Sequence, residues 1–319
     1  MNNAIYGTFM AIIATMSWAI GAILFKKCGE RIEPIGLATF NTFFSFIILL
    51  VLLLITQNPI NIGKQALIPI IESSILGIVI GDSLYYASLN RLSPIMLSII
   101  LLTGPFFSGI FGWIFFKEIP VTLSIIGIFT ILIGSSIIII TSTKNINNIK
   151  TTGLGIFMGL SSLCLTSYSM AIVKTVVETV PTLTVTMYRM LFSFLALILY
   201  AIFSKKIFIW LKFILEKEYF FKLIGTIAIY AIGGFWCSVI AVKYCELVIA
   251  TSIMSLEPFF VLLFMIIFYK YAFKKWEFFS IFCIVTGIIL ICYSENTQTA
   301  LSVSIINIVG LFSNLFLFV

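Results

Sequence analysis

The chain contains no histidine, and charge is scarce: 12 acidic and 19 basic side chains among 319 residues, 10% in all. A soluble domain carries about 25% charged residues, so there is too little polar surface here to cover a globule in water. Without histidine, the commonest general base and metal ligand is missing. An enzyme would need a convergent acid–base or metal set, and so few acids do not supply one. The six cysteines, Cys28, Cys164, Cys237, Cys245, Cys283 and Cys292, form no C-x-x-C pair. Four fall inside apolar runs, where cysteine packs as a small hydrophobe. No zinc or iron–sulfur site is expected, and no other cofactor. No G-x-x-x-x-G-K-[ST] loop occurs, so ATP is not the driving force within this chain. The first apolar stretch lacks the basic leader and small-residue cleavage site of a signal peptide and reads as a retained membrane helix.

What is abundant is apolar sequence, 61% of the residues, with a mean hydropathy of +1.20. The bilayer is the natural solvent for such a chain. A hydrocarbon core of ~30 Å needs ~20 apolar residues in a helix. Runs of that size fall at 4–25, 34–56, 67–89, 94–116, 121–142, 152–173, 181–203, 219–242, 247–269 and 275–293, with a further run at 301–319. This predicts an all-α, polytopic membrane protein of ten transmembrane helices, with the last run either an eleventh crossing, which its length favours, or a segment lying against the bundle. The connections are short and carry charge or breakers. The longest, 204–218, holds four lysines around Phe208-Ile209-Trp210-Leu211, which reads as a short interfacial piece. Trp210 and Trp276, near helix ends, read as interface anchors. The net charge of +7 belongs to these loops and predicts no nucleic-acid partner.

The halves echo one another. Pro34 follows Lys27 at the distance by which Pro181 follows Lys174. Gly81 precedes Pro105 as Gly234 precedes Pro258, and Gly134 and Gly287 lie equally far beyond those prolines. Together these matches predict a duplicated five-helix unit, residues 1–145 and 146–295, with 296–319 as an extra hydrophobic segment. An odd-numbered unit inserts in opposite orientations when repeated, which gives an inverted repeat, a plan common in secondary transporters.

Ionisable side chains inside a membrane are costly and face a cavity or a partner. Asp82, Arg189 and Glu257 lie deepest in their spans. Tyr85 and Tyr86, three and four residues beyond Asp82, share its helical face. That face reads either as a substrate or proton site or as a structural carboxylate between helices. Glu257 precedes Pro258, and Pro105 gives the matching kink; both prolines read as gating bends or packing kinks. Arg189 is a fixed cation. It either attracts an anionic group of a solute or neutralises Asp82 or Glu257, and the internal ion pair is the favoured reading, because an unpaired buried charge is the costlier state. Trp18 and Trp236 either stack on a solute or fill space, with filling favoured. Asn41, Ser17 and Ser162 are polar candidates for a cavity wall, and Ser17 with Gly21 also makes a small-residue packing face. With histidine absent, any proton coupling falls to Asp82 first and Glu257 second.

The order of these elements resembles the drug/metabolite transporter superfamily, in its ten-helix EamA-type branch. The resemblance is carried by Trp18-Ala19-x-Gly21, Lys26-Lys27, Pro34, Gly81-Asp82-x-Leu84-Tyr85-Tyr86-Ala87-x-Leu89, Pro105, Phe116-Lys117-Glu118, Gly127 and Gly134. The second half answers with Tyr188-Arg189, Gly233-Gly234, Leu256-Glu257-Pro258 and Gly287. Tyr271 stands opposite Glu118, and Asn41 or Thr42 opposite Arg189, as departures from the repeat. The resemblance implies a cell-membrane exporter or exchanger of metabolites, amino acids or drugs, monomeric or homodimeric. Its central cavity would be lined by helices three, four, eight and nine among others. Most lysines and arginines fall in odd-numbered connections, which by the positive-inside rule places those loops in the cytoplasm and the N-terminus outside. The resemblance implies the opposite orientation. A passive channel or a structural subunit is the competing reading.

Overall fold

The computed structural model describes residues 3–29, 32–117, scattered positions between 122 and 137, 149–206, 210, 217–269 and 275–294. Among them all regular structure is helical. We label α1 (Asn3–Gly29), α2 (Pro34–Ile55), α3 (Lys64–Arg91), α4 (Pro94–Leu101), α5 (Gly104–Phe116), α6 (Ile149–Val176), α7 (Thr182–Phe203), α8 (Phe220–Tyr244), α9 (Leu247–Met254), α10 (Glu257–Tyr269) and α11 (Lys275–Ser294). Six of these helices, α1, α2, α3, α6, α7 and α8, are long and apolar enough to cross a bilayer. The expected crossing at 121–142 falls largely outside the described residues. The run 301–319, Glu118 and Tyr271 lie wholly outside them.

Helix ends follow local chemistry. Pro34 opens α2, where its missing N–H has no partner to lose, and Leu37 N donates to Glu33 O at 2.9 Å. Gln57, Lys117 and Lys205 take left-handed φ values of 52°, 57° and 55° just past α2, α5 and α7. That conformation turns the chain out of a helix and satisfies its last carbonyls.

The spans expected at 94–116 and 247–269 are each two helices. The breaks fall at Leu102-Thr103 and Ser255-Leu256. Pro105 and Pro258 are the second residues of α5 and α10, so they start new helices and do not bend a continuous one. A ring at that position clashes with no preceding turn. The two regions match in detail. α4 and α9 have 8 residues each, α5 and α10 have 13 each. Leu92 and Cys245, just before α4 and α9, are extended at φ −113°, ψ 161° and φ −118°, ψ 160°.

Close approaches at glycine set the helix pairs. A Cβ on Gly21 would lie 2.4 Å from the Tyr230 ring, one on Gly234 2.6 Å from Trp18 Nε1, and one on Gly7 2.6 Å from Cys245 Sγ. α1 and α8 are therefore antiparallel along their whole lengths. In the same way, Gly155 meets Leu92 and Gly77 meets Ser169, so α6 runs antiparallel to α3. Two lysines close opposite ends of this bundle. Lys26 Nζ at the end of α1 donates to Leu89 O, and to Leu92 O at 2.9 Å, at the end of α3. Lys174 Nζ at the end of α6 donates to Cys245 O at 3.3 Å, beyond the end of α8. A cation suits the negative end of a helix dipole.

Two apolar cores flank the middle. One gathers α1, α6, α8 and α9 around Val239, Val242 and Leu247; the other gathers α2, α3 and α7 around Leu49, Leu89 and Met190. Trp210 belongs to the second core and is 2% exposed, so it is no interface anchor. Gly36 makes room for its indole, since a Cβ there would sit 2.9 Å from Trp210 Cδ2. Trp276 is 61% exposed on the outer surface.

Candidate functional site

Two π-helical stretches, Ser74–Asp82 in α3 and Tyr230–Trp236 in α8, interrupt the spans that carry the site. A π-turn holds more residues than an α-turn and leaves carbonyls short of their usual donors. In α3 the neighbours supply those donors. Ser169 Oγ donates to Ser73 O at 2.8 Å, Ser193 Oγ to Ser74 O at 3.2 Å, and Ser162 Oγ to Gly81 O at 2.8 Å. Gly77 and Gly81 let α6 come close enough for this: a Cβ on Gly77 would lie 2.2 Å from Ser169 Oγ.

The stretches frame a cavity of about 140 Å³ between α1, α3, α6, α7, α8 and the broken pairs α4/α5 and α9/α10. An apolar cavity of roughly 150 Å³ holds a benzene-sized guest. Of the seven side chains singled out from the sequence, Trp18, Asp82, Tyr85, Arg189 and Glu257 line it together. Arg189 is 3% exposed and Glu257 5%. Arg189 Nη2 donates to Ser169 Oγ at 2.8 Å. Its Nε and Nη1, with Asp82 Oδ2 and Glu257 Oε1, are buried and have no hydrogen-bond partner among the described residues. The favoured ion pair of Arg189 with Asp82 or Glu257 is not made as a direct contact among the described residues, whereas Lys206 and Glu33 do pair, at 2.8 Å on the surface. The three charged groups are carried by three different helices, Asp82 by α3, Arg189 by α7 and Glu257 by α10.

Tyr86 and Trp236 are elsewhere. The Tyr86 hydroxyl accepts from Asn41 Nδ2 at 2.9 Å, and its ring meets Phe25 edge-on at 5.4 Å. Asn41 is thereby turned from the cavity too. Trp236 Nε1 donates to Thr182 Oγ1 at 3.3 Å. Tyr85 and Tyr86 therefore divide, one to the cavity and one to the α2 interface, because adjacent residues on a helix point about 100° apart. Ser17 packs against Gly233, where a Cβ would lie 2.0 Å from its Oγ. Ser162 does line the cavity.

Several lining residues were not singled out from the sequence, and of Tyr230, Thr166 and Ser255 the last two carried no signal of their own. Tyr230 had a usable one: it precedes Gly234 as Gly77 precedes Gly81. Its ring stands edge-on to Phe25 and Phe235, both at 5.1 Å.

Comparison with known proteins places this geometry. The model of the EamA-like transporter family matches residues 5–140 and again 153–293. An uncharacterized transporter of Clostridium kluyveri is 29% identical over 154 residues, 47% of this chain and 48% of that protein. A WAT1-related chloroplastic protein of Arabidopsis thaliana is 23% identical over 127 residues, 38% of this chain and 30% of that protein. The chain thus spans about half or less of the length of these curated relatives. A solved crystal structure superposes with a TM-score of 0.71 over 92% of this chain and 99% of that one, at 14% identity, which shows a shared fold. With the family matched twice and over most of its length, the chain belongs to the EamA-like transporter family.

Proposed function

We propose that the protein is a secondary carrier that exports or exchanges a small organic solute by alternating access through the cavity described above. One observation carries this reading: the cavity takes buried charged walls from both halves of the chain and lies against two broken helix pairs. Asp82, Tyr85, Trp18, Arg189 and Glu257 are the solute contacts. Tyr86 and Trp236 hold the shape of the walls from behind. The breaks before Pro105 and Pro258 are the places where the walls move. The two halves, 1–145 and 146–295, are inverted five-helix repeats of a ten-helix protein. Equal lengths of α4 and α9 and of α5 and α10 support this, as does the antiparallel course of α1 and α8 and of α3 and α6. Such repeats rock about a central site. Asp82, and after it Glu257, is the proton-carrying group if transport is proton-coupled. The protein resides in the cell membrane, and one chain, alone or as a homodimer, holds the complete path.

The test compares solutes inside and outside cells that express the protein with cells that express Asp82→Asn at equal levels. A solute redistributed only by the intact protein supports the reading and places Asp82 in the mechanism. No redistribution across varied growth media overturns it. Flux that neither saturates nor shows counter-transport replaces the carrier with a channel.

A further inference from the structure

α3 has a second hollow on a different face from the cavity. Ile78, Asp82 and Tyr85 look into the cavity. Ile80, Ser83, Leu84, Ala87 and Arg91 form another stripe of the same helix and line a groove of about 550 Å³. Ile35 of α2, Met158 of α6 and Leu197 of α7 complete its apolar walls. The groove opens on the outer surface of the bundle, where Ile80 and Tyr200 are exposed. A hollow of several hundred Å³ with mostly apolar walls takes an organic ligand of some size.

Only one end of the groove is charged. Arg91 is the last residue of α3, and Asn90, Glu33 and Tyr200 stand with it at that end. The Glu33 carboxylate accepts from Lys206 at 2.8 Å, so that pair carries no net charge and Arg91 leaves the mouth positive. The guanidinium folds back along its helix: Nη1 donates to Ala87 O at 2.9 Å. Ser83 lies one turn deeper than Ala87, roughly 6 Å along the axis. Its Oγ is buried and has no hydrogen-bond partner among the described residues. Ser73 and Ser74, earlier in α3, both donate to Ile70 O, and Ser88 donates to Gly155 O. A buried hydroxyl left unsatisfied calls for an acceptor from elsewhere.

The second half has this place filled. Counting from Gly81 and Gly234, Trp236 stands where Ser83 does; counting from Pro34 and Pro181, Thr182 stands where Ile35 does. Trp236 Nε1 donates to Thr182 Oγ1 at 3.3 Å, so an indole bridges α8 and the start of α7. In the first half a hydroxymethyl group replaces that indole, and the space beside it is the groove.

We infer that the groove is a binding site for an anionic phospholipid, with an acyl chain along the apolar walls, the phosphate on Arg91 and an ester carbonyl accepting from Ser83 Oγ. Glycerol joins phosphate to ester over a few bonds, a span comparable with the one turn between Ala87 and Ser83. Basic clefts between membrane helices take such head groups. The occupant braces from behind the turn that presents Asp82 and Tyr85 to the cavity. The inference does not depend on the carrier reading.

The experiment uses the full chain, delipidated in detergent, and reads binding as ligand-dependent thermal stabilisation. The probes are dioleoylphosphatidylglycerol, dioleoylphosphatidylcholine with the same chains and no net charge, and glycerol phosphate, a head group without chains. Phosphatidylglycerol is expected to bind about tenfold or more tightly than phosphatidylcholine, the discrimination of one charge-assisted contact. Glycerol phosphate is expected to give no shift. Arg91→Gln should bring phosphatidylglycerol down to the level of phosphatidylcholine. Ser83→Trp, which puts here what the second half carries, should weaken both lipids. Met158→Trp fills the groove from the α6 wall and gives the same reading should Ser83→Trp not fold. The inference is overturned if the two lipids bind the wild type alike, if glycerol phosphate stabilises as well as the lipid, if Arg91→Gln keeps the preference, or if a folded groove-filling variant binds both lipids as the wild type does.

Discussion

Gly77→Ala should loosen the site by prying α3 from α6. The added methyl would lie 2.2 Å from Ser169 Oγ and 2.5 Å from Ser169 Cβ. Rotating the hydroxyl relieves the first contact but not the second, so the helices must separate. Overpacking of this kind costs about 1–3 kcal/mol. Separation also takes Ser169 from Arg189, bonded at 2.8 Å, and a buried group robbed of its partner costs about 1–3 kcal/mol. The gain in helix propensity from glycine to alanine returns at most about 1 kcal/mol. The net is a loss of roughly 3 kcal/mol, which corresponds to on the order of 5–10 °C in melting temperature. The assay is thermal unfolding of the purified protein. Gly225→Ala in α8 is the control, because a Cβ there meets nothing within 4 Å; it should melt at or slightly above the wild type. Ser169→Gly should partly rescue Gly77→Ala, with a favourable coupling of about 1 kcal/mol or more in the double-mutant cycle. Additive losses, or a Gly77→Ala protein that melts like the wild type, would refute the contact reasoning.

The other expectations are briefer. Lys26→Met should lower the melting temperature by the worth of its charge-assisted bonds to the end of α3, about 1.5–3 kcal/mol. Lys174→Met should lower it as well, since that ammonium reaches the Cys245 carbonyl at 3.3 Å and lies 5.0 Å from the Phe116 ring. Trp18→Ala should reduce saturable transport of any solute the wild type moves, and an unchanged rate would remove Trp18 from the path. Lys206→Met should leave the melting temperature near neutral pH unchanged within error, because this pair is exposed and such pairs contribute little. The Glu33 carboxylate accepts a hydrogen bond from Lys206 and raises its pKa above the ordinary lysine value. Whatever the tie contributes is present below the unfolded lysine range and fades as pH climbs through the raised value. A melting-temperature difference between Lys206→Met and wild type that grew from pH 7 to pH 11 would contradict that sign.

The spans were legible because hydrophobic length is a direct demand of the bilayer. The stretch expected at 34–56 and the observed Pro34–Ile55 differ at one end only. Asp82, Arg189 and Glu257 stood out because ionisable groups are so rare here, and the structure brings all three to one cavity. The breaks in 94–116 and 247–269 were not legible, since proline marks a disturbance without saying whether a helix bends there or begins. Tyr86 was misplaced because its burial is decided by Asn41 across the interface, a partner that no local spacing reveals. Trp210 was misplaced for a similar reason: its pocket is the space left by the missing side chain of Gly36. The π-helical stretches left no mark, as Ser74–Asp82 reads like any apolar helix.

Those stretches hold more residues per turn than the α-helix around them, and so make α3 tolerant of a loss that a regular helix would not survive. Dropping a single residue between Gly77 and Ile80 lets the wide turns tighten toward an α-helix, with the side chains on either side kept near their present phase, so Asp82 and Tyr85 stay on the cavity. The same deletion in a regular α-helix turns everything beyond it by about 100°. What the tightened stretch gives up is its irregular backbone: carbonyls now served by Ser162, Ser169 and Ser193 regain donors of their own helix, and the ties that bind α3 to α6 and α7 lose their purpose.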